Sequence, residues 1–206
     1  AIDDVAHSFR RTNKRLRVGL VSSDGGYFSS LLNNYPNAEV REFSPIGFEY
    51  TGNIDLYIFD GMAPQEPSRV PALVVNGIGP WLPAGTPVFN PEIISKEEQH
   101  PILQRVSLDD VFIDVANQVQ IRNDETSLLG LDTTLSILVA NNRQPRWVWL
   151  GFDLDNSNFG RHSSFPVFLD NIIHWLMDVE IISYAGLGPV RVRFSGDQII
   201  GVDGNL

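Results

Sequence analysis

Trp147 to Met177 reads WVWLGFDLDNSNFGRHSSFPVFLDNIIHWLM, and three textures follow one another along it. Trp147 to Phe152 is almost wholly apolar, the mark of a strand buried on both faces of a sheet. Asp153-Leu154-Asp155-Asn156-Ser157-Asn158 breaks that run with a polar loop. Ser163 or Ser164 is then placed to cap a helix, with Pro166 in its first turn, where a missing N–H costs nothing. Phe165, Phe168, Leu169, Ile172, Ile173 and Leu176 recur at helical spacing and make one apolar stripe. Strand, acidic loop and amphipathic helix form the unit in which an α/β enzyme keeps half of its catalytic groups.

Upstream, the same alternation recurs. Arg17–Ser22, Ala38–Phe43, Ile54–Phe59 and Pro71–Val75 are short strands, and Tyr27–Asn34 is a short helix stopped by Tyr35-Pro36-Asn37. Residues 80–105 are proline-rich and acidic and predict loops with a short helical turn. Val106–Ile121, around Val111-Phe112-Ile113, predicts one or two strands, and Leu135–Ala140 another. Strands alternating with helices imply a mostly parallel sheet with helices on both faces. Thin helical content before Trp147 predicts that antiparallel strands enter there. Val190–Phe194 and Gln198–Val202, split by Ser195-Gly196-Asp197, read as a terminal hairpin. The domain plan is a lead-in over 1–15, an α/β domain over 16–180 and a β-hairpin appendage over 181–206.

Composition narrows the partners. The 206 residues carry a formal net charge of −10 and are 43% hydrophobic, so the chain can build a core and lacks the overall basic charge of a nucleic-acid binder. The basic run Arg10, Arg11, Lys14, Arg15, Arg17 reads as a solvated lead-in. There are no cysteines, which excludes disulfides, thiolate metal sites and a cysteine nucleophile. No apolar run reaches the roughly 18 residues of a membrane span, so this segment is not expected to insert in a membrane. The abrupt start suggests a piece of a longer protein.

The chain resembles the class I glutamine amidotransferase-like superfamily. The resemblance rests on Asp55–Gly61 with Pro64, Ala72–Asn76, His100-Pro101-Ile102-Leu103, Gly151–Asn158, and Phe165-Pro166-Val167 through Trp175-Leu176. It covers most of residues 15–180. Within the superfamily the chain is similar to the domain near the C-terminus of membrane-anchored bacterial BatA-like proteins, which also carry a von Willebrand factor A domain. The ThuA-like branch, linked to sugar metabolism, comes second. The resemblance implies a flavodoxin-like three-layer sandwich. It also implies an extracytoplasmic domain, periplasmic or outer-face, with a cytoplasmic one as the alternative, working through a protein partner or neighbouring domains of its own chain.

Active members of that superfamily present a cysteine in a tight turn that matches Val75-Asn76-Gly77-Ile78-Gly79, and a histidine-x-glutamate pair that matches Asp153 and Asp155. Here Gly77 holds the nucleophile's place, and an aspartate is a poor substitute for imidazole as a base near neutral pH. No catalytic residue is assigned, and glutamine hydrolysis is not expected. The candidate cleft is Asp60, Asn76, Gly77, Asp153, Asp155 and His162, all placed at or near carboxyl ends of strands, where open α/β sheets bind ligands. Converging carboxylates there would suit Ca2+ or Mg2+, with Asp153 and Asp155 the candidate ligands. The plainer and preferred reading makes them turn and cap residues and expects no cofactor. His162, just before the helix, is either a base acting with Asp153 or Asp155 or a hydrogen-bonding residue at the helix start. Trp81, framed by Pro80 and Pro83, could be held exposed for a protein or sugar contact, but core burial is the preferred reading.

Overall fold

The computed structural model describes residues 15–82 and 85–177. Nearly all of the lead-in and the whole C-terminal hairpin appendage lie outside the described residues. Within them the chain is an α/β domain on one mixed sheet. Its strands are β1 (Leu16–Val21), β2 (Ala38–Phe43), β3 (Leu56–Asp60), β4 (Ala72–Val75), β5 (Thr86–Phe89), β6 (Ser95–Lys96), β7 (Val115–Gln120), β8 (Glu125–Gly130), β9 (Leu135–Asn141) and β10 (Trp147–Leu150). The helices are α1 (Gly26–Leu32) and α2 (Phe165–Leu176).

Half of the sheet is parallel, in the order β2-β1-β3-β4-β10, with Leu16 opposite Ala38, Val18 opposite Leu56, Tyr57 opposite Ala72 and Ala72 opposite Trp147. Beyond β10 the pairing turns antiparallel. One edge of β9 is shared by β10 and β7, the other is taken by β8, and β5 and β6 pair with β7 and β8. The inserted strands expected before Trp147 are therefore present, in greater number than their sequence suggests. The run Val111-Phe112-Ile113 is not itself a strand. Ile113 makes one bridge to Ser157, and the ladder begins at Val115.

Side chains alternate across the parallel strands and divide the core in two. Leu56, Ile58, Leu73, Val75, Val148 and Leu150 face the layer formed by both helices. The stripe of α2 is buried as its spacing predicts, and each such side chain contributes about 1.5–3 kcal/mol relative to exposure. Asn171, also buried on α2, donates to the carbonyls of Ile102 and Gln104 at 3.1 and 2.8 Å and pins the helix to the preceding loop.

Tyr57, Phe59, Ala72, Val74 and Trp149 point to the opposite face. There the expectation of helices on both faces is corrected, because among the described residues loops cover it. Phe48 stands edge-on to Tyr50, Tyr57 and Phe59 at 5.3, 5.7 and 5.5 Å. The connections into β3 and β4 carry Pro45, Pro64, Pro67 and Pro71, which disfavour helix, and their aromatic side chains supply the apolar cover instead.

Candidate functional site

Parallel pairing brings the carboxyl ends of β1, β3, β4 and β10 to one edge of the sheet. Asp60 ends β3, Asn76 follows β4, and Asp153 and Asp155 follow β10. Asp60 is half-buried and accepts a hydrogen bond from the Ser22 hydroxyl at 3.1 Å. Its carboxyl is pushed up to about 6, first by burial, against the Ser22 bond that favours the charged form, and further by the charges of Asp153, Asp24 and Asp155.

The sign for stability follows. Between about 4 and 6 the folded chain holds a proton that the unfolded chain has released, so stability from this group is present below that window and lost as pH rises through it. Asp60→Asn keeps an acceptor for Ser22 and removes the buried charge. It is expected to melt higher than the parent at pH 7 and level with it at pH 4, as read by thermal unfolding at both values.

In the loop itself the Asp153 side chain is taken up locally. Asp153 Oδ1 accepts from the Asp155 N–H at 2.8 Å, and the Asp153 carbonyl accepts from the Ser157 hydroxyl at 3.2 Å. That is an Asx-type turn, the plainer of the two readings. Among the described residues no group of three or more His, Asp or Glu is arranged to hold a metal ion.

His162 is not brought to the aspartates. Its Nδ1 accepts from the Ser164 N–H at 3.2 Å and its ring stacks on Phe159, which is the helix-start role. Ser164 stands at the N-cap of α2 without capping it. Its hydroxyl instead accepts from the Ser107 N–H at 3.1 Å. Asp55, at the head of one resembling stretch, is taken up in structure, binding Arg17 through both backbone N–H and guanidinium.

Gly77 is buried, and its carbonyl accepts from the Trp149 indole at 2.9 Å. A Cβ there would lie 2.3 Å from the Met62 carbonyl oxygen and 2.7 Å from Val74 Cγ1. The turn where a nucleophile would stand has no space for any side chain. Asn76 beside it adopts a left-handed φ of 49°, tolerable for asparagine, and accepts from Asn117 Nδ2 at 2.9 Å. That bond ties the parallel half to β7.

Two concavities lie elsewhere. One of about 820 Å³ is walled by Ile93, Leu103, Val106 and Val111, with Lys96 donating to the Val106 carbonyl at 2.7 Å. The other, of about 370 Å³, lies where β4 and β10 begin, between Trp81, Trp147, Arg122 and Arg143. Sequence reasoning singled out only Trp81 from this group. Trp81 is half-buried, donates to the Pro64 carbonyl at 2.9 Å and meets Trp147 edge-to-face at 6.1 Å.

Fold and site together define an α/β domain with a mixed sheet and an acidic carboxyl edge. No family model matches the chain, and no curated protein matches it. Solved structures with the same fold include cytoplasmic protein STM3548 from Salmonella typhimurium, at 13% identity and TM-score 0.55, covering 78% of this chain and 98% of that one. Cytoplasmic protein STM1381 from Salmonella typhimurium LT2 is similar at 12% identity and TM-score 0.51, covering 78% and 99%. The N-terminal domain of mmIFT52 is similar at 11% identity and TM-score 0.52, covering 77% and 96%. These likenesses establish the fold.

One expectation is corrected by them. Two of the neighbours are named as cytoplasmic proteins, and no helix among the described residues is long and apolar enough to cross a membrane. The neighbours' names point away from an extracytoplasmic domain of a membrane protein, and that reading is withdrawn.

Proposed function

We propose that this chain is a non-catalytic interaction domain built on a flavodoxin-like, class I glutamine amidotransferase-like fold, acting through a protein partner or neighbouring domains of its own chain. The strand order β2-β1-β3-β4-β10 supports the flavodoxin-like reading. The observation that carries the functional reading is Gly77: the turn that would present a nucleophile is closed by the Met62 backbone. His162 accepts from the Ser164 N–H at the start of α2, with no hydrogen bond or ion pair to Asp153 or Asp155.

A second reading rests on Asp60, whose raised carboxyl beside Asp153 and Asp155 is the one perturbed acid at the carboxyl edge of the sheet. It makes that edge a sugar-binding or sugar-processing cleft of ThuA-like type, with Ca2+ or Mg2+ as the compensating charge.

One experiment separates the two. Ammonia release from glutamine is measured on the parent, Asp60→Asn and Asp153→Asn, and melting is followed in the same samples with Ca2+ or Mg2+ added. The expected result is no release and no ion-dependent shift. A ligand of the folded state at about a hundred times its dissociation constant adds roughly 2.7 kcal/mol. A rise of that order lost in Asp153→Asn would replace the interaction reading with the acidic-cleft one, and ammonia release by the parent would overturn both.

A further inference from the structure

We propose, resting on the interaction reading above, that the surface around Phe112 docks a basic segment of a partner protein, one that carries an apolar side chain between lysines or arginines.

Apolar exposure marks the place. Phe89, Ile94 and Phe112 are 72%, 60% and 68% exposed, on two segments that wall the cavity of about 820 Å³. Pro91 and Ile93 line it from one segment, Val111 and Ile113 from the other. The Asn90 N–H donates to the Asp114 carbonyl at 2.9 Å and Phe89 stands opposite Val115, so the two segments lie side by side. Leu103 and Val106, both buried, also line the cavity. It offers a partner an apolar socket beside an outward ring. Clustered exposed apolar side chains of this kind mark protein contact sites.

Phe112 is also held in place. Its N–H donates to Asn158 Oδ1 at 2.7 Å, its carbonyl accepts from the Asn158 N–H at 3.1 Å, and Asn158 Nδ2 donates to the Asp110 carbonyl at 2.7 Å. One asparagine thus clamps the backbone on which the exposed ring stands. Val111 and Ile113 turn into the core, while Asp110, Phe112 and Asp114 stay exposed. A contact on backbone fixed before binding loses less entropy on docking.

Charge decides what kind of partner fits. Over residues 89–114, Lys96 is taken by Glu98 and the Val106 carbonyl, which leaves Glu92, Glu97, Asp109, Asp110 and Asp114 against Arg105. None of those acids is in an ion pair among the described residues. The loop alongside adds Asp153 and Asp155 against Arg161. A second copy, an anionic membrane or a nucleic acid would meet like charge here, on a chain whose formal net charge is −10. A basic segment is instead drawn in and sets its cations against the aspartates on either side of Phe112.

The test titrates fluorescein-labelled Lys-Leu-Lys-Phe-Lys-Leu-Lys with the full chain, following anisotropy, and sediments the chain alone. Two further peptides change one feature each, glycine for the apolar residues or glutamate for the lysines. The expected result is saturable binding that weakens with salt, and binding at least about tenfold weaker for either altered peptide. Phe112→Ala, on an exposed ring, should weaken binding at least about tenfold without moving the melting temperature. Asp110→Asn combined with Asp114→Asn, which spares the backbone bonds at both positions, should weaken it and flatten the salt dependence. No saturable binding, or equal binding to the parent and Phe112→Ala, would overturn the surface. Equal binding of the glycine peptide would overturn the apolar anchor, and of the glutamate peptide the charge. Self-association of the parent that is lost in Phe112→Ala would give the surface to a second copy instead. Failure here, with no ammonia release and no ion-dependent shift in the earlier experiment, would strike this surface and leave the interaction reading standing.

Discussion

Gly77→Ala is expected to lower the melting temperature by about 6–12 °C, and Gly77→Cys by at least as much without creating glutamine hydrolysis. The added Cβ would lie 2.3 Å from the Met62 carbonyl oxygen and 2.5 Å from its carbon. Backbone cannot swing aside as the tip of a side chain can. Either the segment after β3 moves or β4 does, and β4 is held between β3 and β10. Overpacking of this kind costs about 3 kcal/mol at the upper end of its usual range, and each kcal/mol shifts melting by about 2–4 °C in a domain of this size. Shifting the turn also strains the 2.9 Å bond from Trp149 to the Gly77 carbonyl. Thermal unfolding followed by circular dichroism measures the effect. A Gly77→Cys variant as stable as the parent would mean that the turn opens readily, and the argument against a nucleophile there would fall.

Phe159→Ala is expected to cost about 3–5 kcal/mol, the range for deleting a fully buried aromatic ring. Phe159 lies between the acidic loop and α2, 1% exposed, with its ring against Phe152, Phe165 and Phe168 at 6.1, 5.5 and 5.2 Å. Those three come from beyond β10 and from the first turn of α2, so the ring joins strand, loop and helix. Denaturant unfolding should show a lower midpoint with an unchanged slope, the sign of lost stability and not of altered compactness. Asp155→Ala, four residues away on the exposed side of the loop, should stay within about 0.5 kcal/mol of the parent. Equal effects of the two would show that the loop is not organised around Phe159.

The parallel half of the fold was legible because β1, β3, β4 and β10 are short apolar runs, Trp147 beginning β10, and because Ala38–Phe43, which alternates apolar and charged residues, is reproduced residue for residue as β2. The antiparallel half was not. β5 contains Pro87 and is mostly exposed, while β8 mixes polar and apolar residues and shifts register between Ser127 and Leu129 and again before Gly130. Neither leaves a clean period of two. The loop-covered face was hidden for another reason, since Phe48 or Trp81 looks the same in sequence whether a helix or an irregular segment carries it. At the carboxyl edge, the placing of Asp60, Asp153 and Asp155 followed from strand order, and the interest of Gly77 from the resemblance of its turn. The hydrogen bond that His162 accepts from the Ser164 N–H is the helix-start role that its place before α2 suggests. The cleft of Trp81, Arg122, Arg143 and Trp147 draws on three separated segments and carries no local pattern at all.

The outermost parallel strand has a bearing on how copies of the domain meet. β2 pairs with β1 along one side, and among the described residues nothing pairs with its other side. A bare strand edge is a template for joining a second sheet. Here it carries Glu39, Arg41 and Glu42, with Arg41 paired to Glu39 at 2.9 Å. Two sheets approaching edge to edge would have to strip water from those charges and set like against like, so the edge resists self-association and fibril growth at the place where the sheet is most open to it.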